Sequence, residues 1–135
     1  MNAFASMLLL AAALIPASAS SQVCVKRLEV PKYSNLARAA QWTGVVDLTV
    51  TIGAQGQVVS VDGSGSYPYL IEQAKTNVKE WIFCAPENDG ITRVRLRYDY
   101  RLQGAPVYPL PTPRVTSDLG EGTILITSPP MERQQ

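Results

Sequence analysis

The chain of 135 residues carries 12 basic and 11 acidic side chains, a formal net charge of +1, and contains no His. This balance excludes the broad basic field that would attract nucleic acid. The missing imidazole removes the commonest general base, metal ligand and pH switch near neutrality. The length suits one domain around one modest core.

The first segment reads as an export address. Met7 to Ile15 is an unbroken apolar run, Pro16 interrupts it, and Ala17-Ser18-Ala19 has the small-residue form of a cleavage site. Cleavage is expected after Ala19, which makes residues 1–19 a signal peptide. The run is shorter than the ~20 apolar residues a spanning helix needs, so no membrane span is expected in the mature chain. No Lys or Arg precedes Met7, which keeps a retained anchor open as the alternative. Residues 20–29 form an N-terminal segment holding Cys24, which in an oxidising compartment is expected to pair with Cys84. A loop of about 60 residues closed in this way contributes roughly 4 kcal/mol by chain-entropy reasoning.

Along the remaining chain, Ser34 to Gln41 predicts a short helix with Leu36, Ala37 and Ala40 as its apolar stripe. From Val45 to Ile52, Val46, Leu48, Val50 and Ile52 alternate with Asp47, Thr49 and Thr51, the period of a half-buried strand. Gly53-Ala54-Gln55-Gly56 supplies a turn into a second short strand, Val58 to Val61, so the two should form a hairpin. Tyr69 to Phe83 has helical periodicity, with Ile71, Ala74, Val78, Trp81 and Ile82 on one face, Ser66 as cap and Pro68 in the first turn. The clearest strand is Thr92 to Leu102, where Val94, Leu96, Tyr98, Tyr100 and Leu102 oppose Arg93, Arg95, Arg97, Asp99 and Arg101. Beyond it Pro106, Pro109, Pro111 and Pro113 mark a spacer, and Gly122 to Ser128 has the β-branched composition of a further strand. The expected fold is α+β: a two-layer sandwich over residues 30–102, with a three-stranded antiparallel sheet carrying both helices on its Val46/Leu48/Tyr98 face. Residues 103–135 are expected to be a Pro-rich linker and tail, with an extra strand at 122–128 that either pairs with an open sheet edge or belongs to a disordered terminus.

Several spaced motifs occur in a telling order: Tyr33-Ser34-Asn35-Leu36-Ala37-Arg38, Gly44-Val45-Val46, Val50-Thr51-Ile52, Gly56-Gln57-Val58, then Ala74, Val78, Trp81 and Phe83 followed by Pro86. Together they resemble the TonB C-terminal domain family over more than half the chain. The resemblance implies a periplasmic protein-binding module that grips an extended peptide by β-augmentation, adding it beside the last strand. The implied partner is a protein or peptide, in the family an outer-membrane TonB-dependent receptor. Carried onto this chain, the partner-binding residues are Arg93, Arg95, Arg97, Tyr98, Asp99 and Arg101.

Two alternatives accompany that reading. A retained N-terminal anchor would fit an energy transducer for outer-membrane transport, but only about ten residues separate Ala19 from Val30, and the Pro-rich stretch follows the domain instead of preceding it. A self-associating envelope domain, in its simplest form a homodimer, is the second. The Arg ladder itself reads either as steering for an acidic partner or as a charged face that deters edge-to-edge aggregation. An enzyme is not expected: Asp47 and Asp99 fall on exposed strand faces, Gly63-Ser64-Gly65 lacks a His partner, and no phosphate loop, metal cluster or cofactor motif is present.

Overall fold

The computed structural model describes residues 23–87, 91–106 and 113–131. The segment expected to direct export therefore lies outside the described residues, as do Pro109 and Pro111 of the spacer. No helix among the described residues is long and apolar enough to cross a membrane.

The first strand, β1 (Val25–Arg27), pairs antiparallel with the two-residue β4 (Ile82–Phe83) to form a small separate ladder. The disulfide Cys24–Cys84, with Cα atoms 5.4 Å apart, closes a 60-residue separation beside it. The Cys84 amide also donates to the Cys24 carbonyl at 2.9 Å.

Helix α1 (Asn35–Ala39) starts at Ser34, whose Oγ accepts from the Ala37 amide at 3.1 Å. Its buried face differs from the expected stripe. Ala37 is buried, but Leu36 is 54 % exposed and Ala40 is exposed, while Arg38 is fully buried. In a helix this short, one long side chain reaching toward the sheet end decides the rotation. That chain is Arg38, whose Nε donates to the Pro129 carbonyl at 2.8 Å.

Strand β2 (Gly44–Ile52) and β3 (Val58–Gly65) form the expected hairpin, with β3 running past Val61 to Gly65. A bulge lies between Thr51 and Ile52, where the register jumps from Ser60 to Val58 and leaves Val59 unpaired and 57 % exposed. Gly56 turns the chain with φ +85°, and a Cβ there would collide with the Phe83 carbonyl.

Helix α2 (Pro68–Lys79) buries Leu70, Ala74 and Val78. Tyr67, not Ser66, occupies its N-cap, and no side chain caps it; Pro68 begins the helix, where its missing N–H costs nothing. The helix stops at Lys79, so Trp81 reaches the core from the residue before β4 and Phe83 from β4 itself, while Ile82 points outward at 38 % exposure. A stretch that looked like one helical face is thus a helix followed by strand alternation. Trp81 has no exposed surface; its Nε1 lies 3.1 Å from both the Glu29 carbonyl and Asn77 Oδ1.

The sheet holds five strands, not three. Its order is β3-β2-β5-β7-β6, with β5 (Thr92–Leu102) antiparallel to β2, β7 (Thr123–Ser128) parallel to β5, and β6 (Arg114–Asp118) antiparallel to β7. The segment after the spacer makes a hairpin that returns into the sheet, with β7 inserted between β5 and β6. Composition explains which strand is inside. Thr-Ile-Leu-Ile-Thr-Ser places Ile124 and Ile126 in the core at 0 % exposure, while Arg-Val-Thr-Ser-Asp offers one apolar residue and suits a margin.

Both helices lie on one face, over a core that includes Val46, Leu48, Val50, Leu96, Tyr98 and Tyr100. Ile71 of α2 and Leu48 both lie within about 3 Å of the Cβ position at Gly63, which fixes α2 on that face. The fold is an α+β sandwich of two layers, with a mixed sheet in place of the antiparallel one expected.

Candidate protein-interaction site

The family resemblance implied recognition beside β5, the last strand that the motifs cover. In the structure β5 is the central strand. Along Arg97 to Leu102 it is bonded on one side to β2, up to Tyr100, and on the other to β7 along the whole stretch. The Arg97 amide donates to the Gly122 carbonyl at 2.7 Å and the Gln103 amide to the Ser128 carbonyl at 2.9 Å, which fixes both ends of the β7 pairing. Only Thr92 to Leu96 lacks a partner on that side, and the Leu119–Gly122 turn crowds its end: a Cβ on Gly122, at φ +68°, would lie 2.7 Å from the Arg95 carbonyl. An added peptide therefore cannot lie along the whole of β5 while β7 is in place.

The structure separates the residues carried over as partner contacts. Tyr98 is fully buried and donates through its OH to Asn77 Oδ1 at 2.7 Å, so it is a core residue and not a contact. Burial pushes its phenol well above the ordinary range, and the neighbouring Tyr100 adds to the shift. Arg93, Arg95, Arg97, Asp99 and Arg101 share the helix-free face, as their alternation requires. Arg97 Nε donates to Asp47 Oδ1 at 2.9 Å across the β2–β5 pair. Arg101 reaches back to Asp99 Oδ2 at 2.8 Å, and this hydrogen bond, with the carboxylate charge, raises the Arg101 pKa. Arg93 and Arg95 make no salt bridge among the described residues. Arg95 and Arg97 line a groove of about 480 Å³ with Asp47, Thr49, Glu121 and Gly122, where β7 begins. Opposite charges alternate along that groove, which matches a polar solvent face better than a single-sign steering field.

Two margins remain, β3 and β6. The β3 margin is interrupted by the bulge at Val59 and loosened by Gly63 and Gly65, devices that discourage pairing. The β6 margin has neither. Its five residues pair with β7 in unbroken register, from Arg114 opposite Thr127 to Asp118 opposite Thr123, and its other side has no strand among the described residues. Sequence reasoning missed β6 because five residues with one buried-side Val give no usable period. The signal that could have found it is the turn: Asp118 Oδ1 accepts from the Glu121 amide at 3.2 Å, and Gly120 and Gly122 flank Glu121, ahead of the run at Thr123.

Residues 29–102 match the family described as Gram-negative bacterial TonB protein C-terminal. This chain belongs to the TonB C-terminal family. No curated protein and no solved structure gives a match. The TonB-type match ends at Leu102, the last residue of β5, so the β6–β7 hairpin lies wholly beyond the matched residues. A domain of this family is a protein-interaction module, and in this chain two further strands are built onto the side of the sheet where its last strand would otherwise end.

Proposed function

We propose that this TonB-type module captures an extended segment of another envelope protein by strand addition, and that the receiving margin is β6 instead of β5. The observation that carries this reading is the strand order, in which β7 fills the side of β5 and leaves β6 as the uninterrupted margin. Unpaired backbone groups on such a strand give affinity for almost any extended peptide, and flanking side chains give selectivity. Arg114 at one end of β6 lies in a cross-strand row with Thr127 and Arg101, so a segment with an acidic residue near that end fits best. The N-terminal segment of an outer-membrane receptor is the partner class that the family implies.

The test is titration of the ¹⁵N-labelled mature chain with receptor N-terminal peptides. Amide shifts concentrated at residues 114–118 are expected. Thr116→Pro and Ser117→Pro, taken together, separate the two sides of β6: one removes an N–H bonded to β7, the other the outward N–H. The outward variant should abolish peptide binding while keeping the fold. Shifts concentrated at 58–65, or binding untouched in both variants, would overturn the assignment to β6.

A specific feature favours a second reading, self-pairing. Antiparallel contact between two copies of β6 centred on Thr116 sets Arg114 of each opposite Asp118 of the other, both on the helix-free face. Sedimentation of Arg114→Asp should then show monomer, and the double variant with Asp118→Arg should recover the dimer. A wild type that stays monomeric at high concentration removes this reading and leaves the first intact.

A further inference from the structure

The buried side-chain polar atoms without a hydrogen-bond partner among the described residues are Arg38 Nη1 and Nη2, Tyr100 OH and Ser128 Oγ. They gather at one end of the sheet. Arg38 Nε is held on the Pro129 carbonyl, next in the chain to Ser128. Ser128 stands opposite Leu102 and Ile126 opposite Tyr100 in the β5–β7 register, so Tyr100 and Ser128 lie on the same core-facing side, one step apart diagonally. The Tyr33 ring meets the Tyr100 ring edge-on at 5.3 Å, and its own OH donates to the Trp42 carbonyl, so Tyr33 is a wall of the cluster and not an open donor. Arg38 is 0 %, Tyr100 1 % and Ser128 1 % exposed.

The chemistry of these groups is one-sided. A guanidinium only donates, and both hydroxyls are free to donate. Burial draws the Arg38 pKa down, with only the Tyr33 phenol opposing it, so no described carboxylate offsets the charge. A cation held out of water with its fork unpaired is among the most unfavourable arrangements a core can contain, unless an anion completes it. One positive charge balances a monoanion, and the fixed fork matches the two oxygens of a carboxylate. A dianion would bring uncompensated charge into the same enclosure.

We propose that Arg38, Tyr100 and Ser128 form a carboxylate-binding site, with the guanidinium fork as primary donor and the two hydroxyls completing the shell. The carboxylate has two possible sources. The sequence provides one three positions past Pro129, at Glu132, outside the described residues; the other is an acid brought by a second molecule.

The experiment reads the Arg38 guanidinium N–H signals of the labelled mature chain by NMR, in the wild type and in Glu132→Gln, with sodium acetate against sodium chloride at equal ionic strength. If Glu132 is the source, Arg38 N–H exchange is slow in the wild type, accelerates by about tenfold or more in Glu132→Gln, and slows again with acetate. If the source is external, the two chains behave alike and acetate slows exchange in both. In either case Tyr100→Phe and Ser128→Ala, which keep shape, should weaken the acetate effect several-fold. Acetate without effect on Arg38 in both chains, or an effect unchanged in the two hydroxyl variants, would overturn the site.

Discussion

The two strands that the tail contributes are neighbours of similar length with opposite roles. β7 carries Ile124 and Ile126 into the core, takes hydrogen bonds from both sides, and has no fully exposed position. β6 has four exposed residues out of five, a single half-buried Val115, and one bonded side. The contrast shows how a sheet can be extended without carrying its hydrophobic demand to the new margin. The interior strand is apolar on the face it buries, and the margin is short and charged at both ends, as an edge exposed to water requires. The first strand is a fixture of the fold; the second leaves one side of its backbone without a strand among the described residues.

That contrast can be broken by substitution. Ile124→Ala or Ile126→Ala should each cost about 2 to 5 kcal/mol, because each removes a fully buried side chain from a packed interior; denaturant unfolding measures it. A cost near zero would mean that β7 is a loosely docked strand. Alkaline pH should act next most strongly. Burial pushes the Tyr33 phenol up to about 12, and those of Tyr98 and Tyr100 further, all in contact around β5. The unfolded chain ionises first, so their stabilisation is complete below pH 10 and is lost progressively as the pH climbs toward 12. For Tyr33 alone the loss is roughly 2 to 3 kcal/mol. Tyrosinate absorbance and loss of near-UV signal should rise together above pH 10. Gly122→Ala should cost about 1 to 3 kcal/mol, since it combines left-handed backbone with a Cβ pressed on the Arg95 carbonyl. This variant loosens the turn that leads β7 into the sheet, and hydrogen exchange at Arg97 reports it. Thr116→Ala, on the exposed margin, should change stability by less than about 0.5 kcal/mol. A larger loss would show that β6 is part of the structural core and not a docking strand.

Much of the family portion was legible because its periods are long and regular. The nine residues of β2 and eleven of β5 alternate without interruption, and their even positions are the ones that became core. The disulfide was legible because two cysteines allow one pairing, and the fold brings them together. The strand at 122–128 was visible in composition, but its partner was not. Parallel pairing to β5 follows from the hairpin folding back, a tertiary choice with no local signature. The same limit hid the central place of β5, since whether a strand is central depends on segments far along the chain. Tyr98 was carried over as a contact together with its arginine neighbours, although the alternation already set it on the helix-covered face, where its ring lies 6.2 Å from that of Trp81. Arg38 was overlooked because a charged residue on a short helix is ordinarily solvent-facing.

The parallel placement of β7 also bears on how the molecule is made. Residues 29–102 leave the ribosome, and any export pore, ahead of residues 123–128, so during synthesis β5 waits with one side bare until β7 covers Arg97 to Leu102. Pairing between such distant segments is slow to form, and an uncovered strand edge invites association with other chains in the meantime. A product terminated shortly after Leu102 would keep every helix of the domain and yet present that bare edge permanently, making it the species most prone to clump. The β6–β7 hairpin is thus a seal that reaches this side of the sheet late.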